Sequence, residues 1–303
     1  MQTERLEKEL PDIKKNVALA DYTTFKIGGL AKYFYTAQNQ EELLKAISLA
    51  KELKLPFFIL GGGSNILVSD RGFDGMVIKN QCLKFDIKDN IIFAEAGVAL
   101  ATLVNFSTKN DLTGLEWGAG IPGTVGGAIR GNAGAFGGAI GDIVRDVEVF
   151  NTKTEAKERL SKADCQFSYR ESFFKKNNNL IILSAQLELL KNNPQEAEEN
   201  RQKMIDYLNN RQQTQPLQFP SAGSIFKNPP DVSAGQLIDQ CGLKGKRINN
   251  VQISEKHANF IINLGQGQAD DVRQLIEMVK KAVKDKFNIQ LEEEIQYFGF
   301  ENK

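Results

Sequence analysis

Gly120-Ile121-Pro122-Gly123-Thr124-Val125-Gly126-Gly127-Ala128 lies within a stretch, 114–141, that holds eleven of the chain's 26 glycines and only two charged residues, Glu116 and Arg130. Glycine loses more backbone freedom on folding than any other residue, so this density calls for a bound ligand or for close approach of backbone. A second cluster, Gly61-Gly62-Gly63-Ser64-Asn65, follows the short apolar run Pro56-Phe57-Phe58-Ile59-Leu60. Its consecutive N–H groups, with no Cβ atoms over them, and its hydroxyl and amide suit a pyrophosphate. It is neither G-x-G-x-x-G nor a Walker A loop, and alone it reads equally as a tight turn between strands. Two such clusters, far apart in the chain, point together to one extended dinucleotide threaded between two layers.

On the N-terminal side, Leu43, Leu44, Ile47, Ala50 and Leu53 recur at helical spacing over 41–55, with Pro56 as the stop. Ile66-Leu67-Val68 is a strand candidate, and a helix is predicted over 100–109. On the C-terminal side, 144–151 and 180–190 read as strands. The composition shifts at Lys191-Asn192-Asn193-Pro194, ahead of a charged helix over 195–211 and a helix over 234–241 that stops at Gly242. Asp270 is placed to cap a helix whose Val272, Leu275, Ile276, Val279, Val283 and Phe287 form one apolar stripe. A strand over 291–299 would put Leu291, Ile295 and Tyr297 on one face and Glu294 on the other. Helices mixed with strands throughout give an α+β class, and 303 residues suit two domains, here 21–190 and 191–303.

Lys plus Arg and Asp plus Glu number 38 each, so no global charge draws nucleic acid or an anionic membrane as partner. The N-terminus has no secretory h-region, and no apolar run approaches the roughly 20 residues that span a bilayer; a cytoplasmic protein is expected. Cys82, Cys165 and Cys241 are odd in number with no C-x-x-C, which fits reduced thiols acting as small core hydrophobes. The single histidine, His257, argues against a zinc site built on several His or Cys ligands, and no metal is expected.

Taken together, Gly61 to Leu67, Gly120 to Gly127, Asn132-Ala133-Gly134-Ala135-Phe136-Gly137, Tyr169-Arg170-Glu171-Ser172, Gly223 to Pro229 and Leu291-Glu292-Glu293-Glu294-Ile295 resemble the UDP-N-acetylenolpyruvoylglucosamine reductases, the MurB family. Thr23 to Gly29 is similar to that family's opening motif. The stretch between Arg170 and Ser224 lacks the inserted tyrosine segment of one branch, so the likeness is to the shorter branch. The resemblance implies a PCMH-type FAD-binding domain followed by a smaller α+β substrate-binding domain whose last strand brings Glu294 to the active site. It also implies non-covalent FAD, NADPH as co-substrate and a nucleotide-sugar substrate, UDP-N-acetylglucosamine enolpyruvate, reduced to UDP-N-acetylmuramate for peptidoglycan precursor synthesis. The absence of histidine from the N-terminal half independently argues against a histidyl-flavin link.

By the same resemblance, Arg170 and Glu294 would stabilise an enolate and Ser224 would donate a proton. Gly61, Gly62, Gly63, Ser64, Asn65, Gly120, Ile121, Gly123, Thr124, Gly127, Asn132 and Gly134 would hold the cofactor, and Tyr169, Lys227, Asn228 and His257 the substrate. Lys227, Arg211 and Arg247 are candidates for its diphosphate, and Arg130 either meets the FAD phosphates or points to water. By residue type alone, Arg170 reads as a surface ion pair, Ser224 as a turn residue, Glu294 as a solvated carboxylate and His257 as a satisfied structural ring. A PCMH-fold oxidase and a non-catalytic nucleotide-sugar binder are the alternative functions.

Overall fold

A computed structural model describes residues 2–300, which form two compact units: 2–13, 35–62 and 77–210 in the first, 14–34, 63–76 and 211–300 in the second. In the first unit the strands Ala156–Ser161, Val144–Asn151, Leu180–Glu188, Ile91–Glu95 and Phe85–Lys88 make one antiparallel sheet in that order. Val144 and Val147 are both buried although three residues apart, because the register slips between Val144 and Asp146; a bulge resets the two-residue alternation. The buried side of this sheet, with Ala94, Val147, Ala185 and Leu187, shares one core with Leu100, Leu103 and Val104 of the helix Leu100–Lys109 and with Val125 and Ile129 of the helix Val125–Gly131. The expected helix over 41–55 is Gln40–Glu52, begun by Asn39, whose Oδ1 accepts from the Glu42 N–H at 2.9 Å.

In the second unit the strands Ser221–Ser224, Phe260–Asn263, Val251–Ile253 and Arg247–Ile248 form an antiparallel sheet in that order. Its core joins Ile253 and Ile261 to Leu237 and Ile238 of the helix Ala234–Gln240 and to Val272, Leu275, Ile276, Val279 and Val283 of the helix Ala269–Phe287. The expected apolar stripe therefore faces the core, but its cap is not Asp270, which sits inside the first turn. The Asp70 carboxylate supplies the cap from a distant loop, Oδ1 accepting from Ala269 N–H at 2.9 Å and Oδ2 from Asp270 N–H at 3.2 Å.

The expected strand over 291–299 shortens to Gln296–Phe298, which pairs in parallel with Ile66–Val68. A bend at Ile295 resets the parity, so that Phe298 rather than Tyr297 is buried. Segments 14–34 and 63–76 thus belong with the C-terminal part of the chain, unlike the expected division at 190/191. The helix Pro194–Thr214, expected to open the second domain, has most of its length in the first unit. There Arg201 pairs with Asp111 at 2.7 Å and the Thr108 hydroxyl meets the Met204 sulfur at 3.7 Å. Burial pushes the Cys82 and Cys165 thiols up to about 12, leaving them uncharged packing groups. Among the described residues no helix is long and apolar enough to cross a membrane.

Candidate functional site

In the first unit the two glycine clusters meet. A Cβ on Gly61 would lie 2.7 Å from Thr124 Oγ1, and one on Gly62 would lie 2.7 Å from Gly123 Cα. Thr124 caps the helix Val125–Gly131, its hydroxyl accepting from Gly127 N–H at 3.4 Å, and Gly120 and Gly123 have φ of 75° and 133°, where only glycine is unstrained. Ile121 packs half-buried against the core of this unit. Other glycines of the stretch answer to the chain itself: a Cβ on Gly134 would meet the Gly138 carbonyl at 2.5 Å, and one on Gly138 would meet the Trp117 ring at 2.5 Å. Gly127 has no such neighbour closer than 3.6 Å, so chain packing does not require glycine there.

Sequence reasoning missed Lys79, the charged residue ending the apolar run Met76-Val77-Ile78 of the strand Phe73–Asn80. Its Nζ donates to the Gly61 carbonyl, and burial pushes its pKa below the usual lysine value. A half-buried ammonium beside glycine backbone and the Thr124 hydroxyl fits the anionic diphosphate of a dinucleotide such as FAD. Arg130 takes neither of its expected roles, since its guanidinium donates to the Phe174 carbonyl and to Asn178 Oδ1.

Arg170 sits with Tyr169 at the tip of a tight turn closed by two bonds, Ser168 N–H to Glu171 O at 3.1 Å and Glu171 N–H to Ser168 O at 3.0 Å. Its φ of 55° is left-handed, a conformation that costs a non-glycine residue of order 1–3 kcal/mol and collects at functional positions. Asn132, itself left-handed at the end of its helix, anchors this turn: Nδ2 donates to Ser168 O at 2.7 Å while Oδ1 accepts from Gly141 N–H at 3.0 Å. One guanidinium nitrogen of Arg170 donates to Gly134 O at 2.8 Å, and the guanidinium lies 5.6 Å from the exposed Tyr169 ring.

The second unit brings Ser224 and Glu294 onto adjoining backbone. Ser224 ends its strand after Gly223, whose φ is 77°, and the next residue, Ile225, accepts the Glu294 N–H at 2.7 Å. Asn259 clamps the same segment, Oδ1 taking Phe226 N–H at 3.0 Å and Nδ2 giving to Phe226 O at 2.8 Å. The other three residues of the first glycine loop lie here. Gly63 accepts Thr24 N–H at 3.1 Å, and a Cβ on it would meet the Tyr22 carbonyl at 2.2 Å; Ser64 follows it. Asn65 Nδ2 donates to Glu294 O at 3.2 Å, which holds the Glu294 backbone in place.

The expected substrate residues of this unit are strongly engaged within it. Lys227 is buried and paired with Glu292 at 2.5 Å, and Asn228 Oδ1 accepts the Ala234 N–H at 3.0 Å. The His257 ring is half-buried edge-on to Phe260, 4.7 Å between centroids, and its Nδ1 accepts Asn259 N–H at 3.3 Å. Burial pushes its pKa below the usual histidine value, which keeps it neutral at pH 7. Arg211 is buried, whereas Arg247 is exposed and donates within its own hairpin to Asn249 O and Asn250 Oδ1.

Residues 31–158 match the family model of an FAD binding domain, and residues 215–298 match that of the UDP-N-acetylenolpyruvoylglucosamine reductase C-terminal domain. The reductase of Caldicellulosiruptor saccharolyticus is 44% identical over 99% of this chain and 96% of its own length. That of Clostridium novyi is 40% identical over 98% of this chain and 95% of its own. The crystal structure of the Thermus caldophilus enzyme superposes with a TM-score of 0.80 at 37% identity, covering 93% of this chain and 97% of that one. A glycine cradle with its cation, an arginine at a strained turn and a serine joined through backbone to a glutamate thus sit in a sequence alignable over nearly its whole length, and the chain belongs to the UDP-N-acetylenolpyruvoylglucosamine reductase family.

Proposed function

We propose that this protein reduces UDP-N-acetylglucosamine enolpyruvate to UDP-N-acetylmuramate with NADPH, as a cytoplasmic step of peptidoglycan precursor synthesis. The observation that carries the assignment of residues is the Ser224-Ile225 segment hydrogen-bonded to the Glu294 backbone at 2.7 Å. When bound, FAD would supply the redox chemistry that relays hydride from NADPH to the terminal vinyl carbon of the enolpyruvyl group. Gly61, Gly62, Thr124, Gly127 and Lys79 would hold it, with Lys79 offsetting diphosphate charge.

Hydride at the vinyl carbon pushes an electron pair toward the carboxylate, so that an enolate develops. Arg170, a fixed cation, stabilises that charge, and Glu294 shares the role as a carboxylic acid that donates a hydrogen bond to it. The Ser224 hydroxyl gives its proton to the neighbouring carbon, which completes the reduction. A serine is a weak acid, and it serves because the acceptor carbon is strongly basic and the Ser224 segment is fixed by Asn259 and by the Glu294 backbone. Tyr169, Lys227, Asn228 and His257 are assigned to the nucleotide sugar, the first directly and the other three by shaping the Phe226–Asn228 and Ser254–Asn259 segments.

The purified protein is expected to be yellow, to bleach anaerobically with NADPH and to recolour on addition of the enolpyruvyl substrate. Bleaching without recolouring would remove the proposed substrate, and a colourless protein that FAD cannot reconstitute would remove the flavin.

A further inference from the structure

The strands Gly134–Ala135 and Gly138–Ala139 pair as a hairpin with Gly138 opposite Ala135 and Ala139 opposite Gly134, which leaves Phe136 and Gly137 as its two-residue tip. Both tip residues have positive φ, 51° and 84°. A tip of this kind favours asparagine, aspartate or glycine at its first position, and a bulky side chain is an outlier there. Phe136 occupies it nonetheless, 43% exposed. Its ring lies 4.1 Å from that of Tyr207, with 2° between the planes, and Tyr207 projects from the helix Pro194–Thr214 of the same unit. The base of this hairpin carries the Gly134 carbonyl to which Arg170 donates at 2.8 Å. Hairpin tip and hairpin base are two residues apart, so the stack and the arginine are joined by one short paired hairpin.

We infer that Tyr207 is a positioning residue for the reduction, acting through the Phe136 ring and the 134–139 hairpin to hold the Arg170 guanidinium where the enolate forms. This rests on the enolate-stabilising role proposed for Arg170. The stack explains why an unfavoured phenylalanine stands at the tip, and it ties the hairpin to a helix that carries none of the assigned catalytic or substrate-contacting groups except the buried Arg211 near its end.

The test compares Tyr207→Ala, Tyr207→Phe, Arg170→Ala and the double variant Tyr207→Ala/Arg170→Ala, each as flavin-loaded protein, in the two half-reactions followed separately by stopped flow. Misplacing a charge-stabilising group by about 1 Å slows a reaction on the order of ten- to hundred-fold. Tyr207→Ala is therefore expected to recolour that much more slowly with the enolpyruvyl substrate, while bleaching with NADPH stays within about two-fold. Tyr207→Phe, which keeps the ring, recolours at the unsubstituted rate. The double variant recolours no more slowly than Arg170→Ala, since two groups on one path are not additive. Equal slowing of both half-reactions, unchanged recolouring, or additive losses in the double variant would overturn the inference. Normal recolouring by Arg170→Ala would instead overturn the role assigned to Arg170 and the inference with it. Should the alanine variant lose its flavin, Tyr207→Leu, which retains apolar bulk without a ring, is judged by the same split.

Discussion

Ser224 is placed by its neighbours rather than by any base beside it. Gly223 turns the strand with φ 77°, and the Ile225 and Phe226 backbone is tied to Asn259 and Glu294, so the backbone that carries the hydroxyl is fixed before substrate arrives. Ser224→Ala is expected to slow recolouring of reduced enzyme by a factor on the order of 10² to 10⁴, the usual worth of a positioned proton donor, and to leave bleaching by NADPH nearly intact. Equal loss in both half-reactions would make Ser224 a structural residue only. His257 gives a second expectation at this scale. Burial lowers its folded-state pKa below the ordinary histidine value, so the folded protein binds this proton more weakly than the unfolded chain. Stability is then intact above the ordinary value and falls as the pH drops through it, until the folded form is protonated as well. The melting temperature should decline from about pH 7.5 to about pH 5.5, and His257→Gln should flatten part of that slope.

At the scale of elements, what the sequence made legible is what depends on neighbours in the chain. The helix Leu100–Lys109 and the strands Ile66–Val68 and Val144–Asn151 fall where periodicity puts them, and the long amphipathic helix buries its expected stripe. Features that depend on partners far along the chain were not legible. The cap of the helix Ala269–Phe287 comes from Asp70, some 199 residues earlier, and no pattern within 268–272 announces it. Asp70→Ala should cost about 0.5–2 kcal/mol, read as a lower urea midpoint with an unchanged slope; Asp270→Ala should cost less, since that side chain caps nothing. The glycine stretch stood out in the sequence, but not residue by residue. Gly134 and Gly138 are glycines because a carbonyl and an indole ring crowd them, whereas Gly127 has room for a Cβ, a difference that exists only in the folded chain. Lys79 escaped for a related reason, a lone lysine ending an apolar run giving no hint of the Gly61 carbonyl it meets.

At the scale of the whole molecule, the division expected near Lys191 followed composition, while the compact units follow pairing. The second unit includes Phe25 and Ile27 in its core, the Asn263 side chain bonded to the Phe25 carbonyl at 3.0 Å, and the parallel pair Ile66–Val68 with Gln296–Phe298. A fragment of residues 191–303 lacks all of these partners and is expected to show no cooperative unfolding transition by circular dichroism. Supplying 14–34 and 63–76 in the same chain should restore one. A sharp transition in the short fragment would show that those N-terminal segments are dispensable.

That parallel pair sets a timetable for synthesis. Ile66, Leu67 and Val68 leave the ribosome about 230 residues before Phe298 does, an interval of roughly 10–50 s at ordinary elongation rates. Throughout it three consecutive apolar residues, all buried in the finished protein, have no strand to pair with. The parallel pair of the second unit therefore forms only once Phe298 has emerged, and until then the early strand depends on other cover for its apolar side chains.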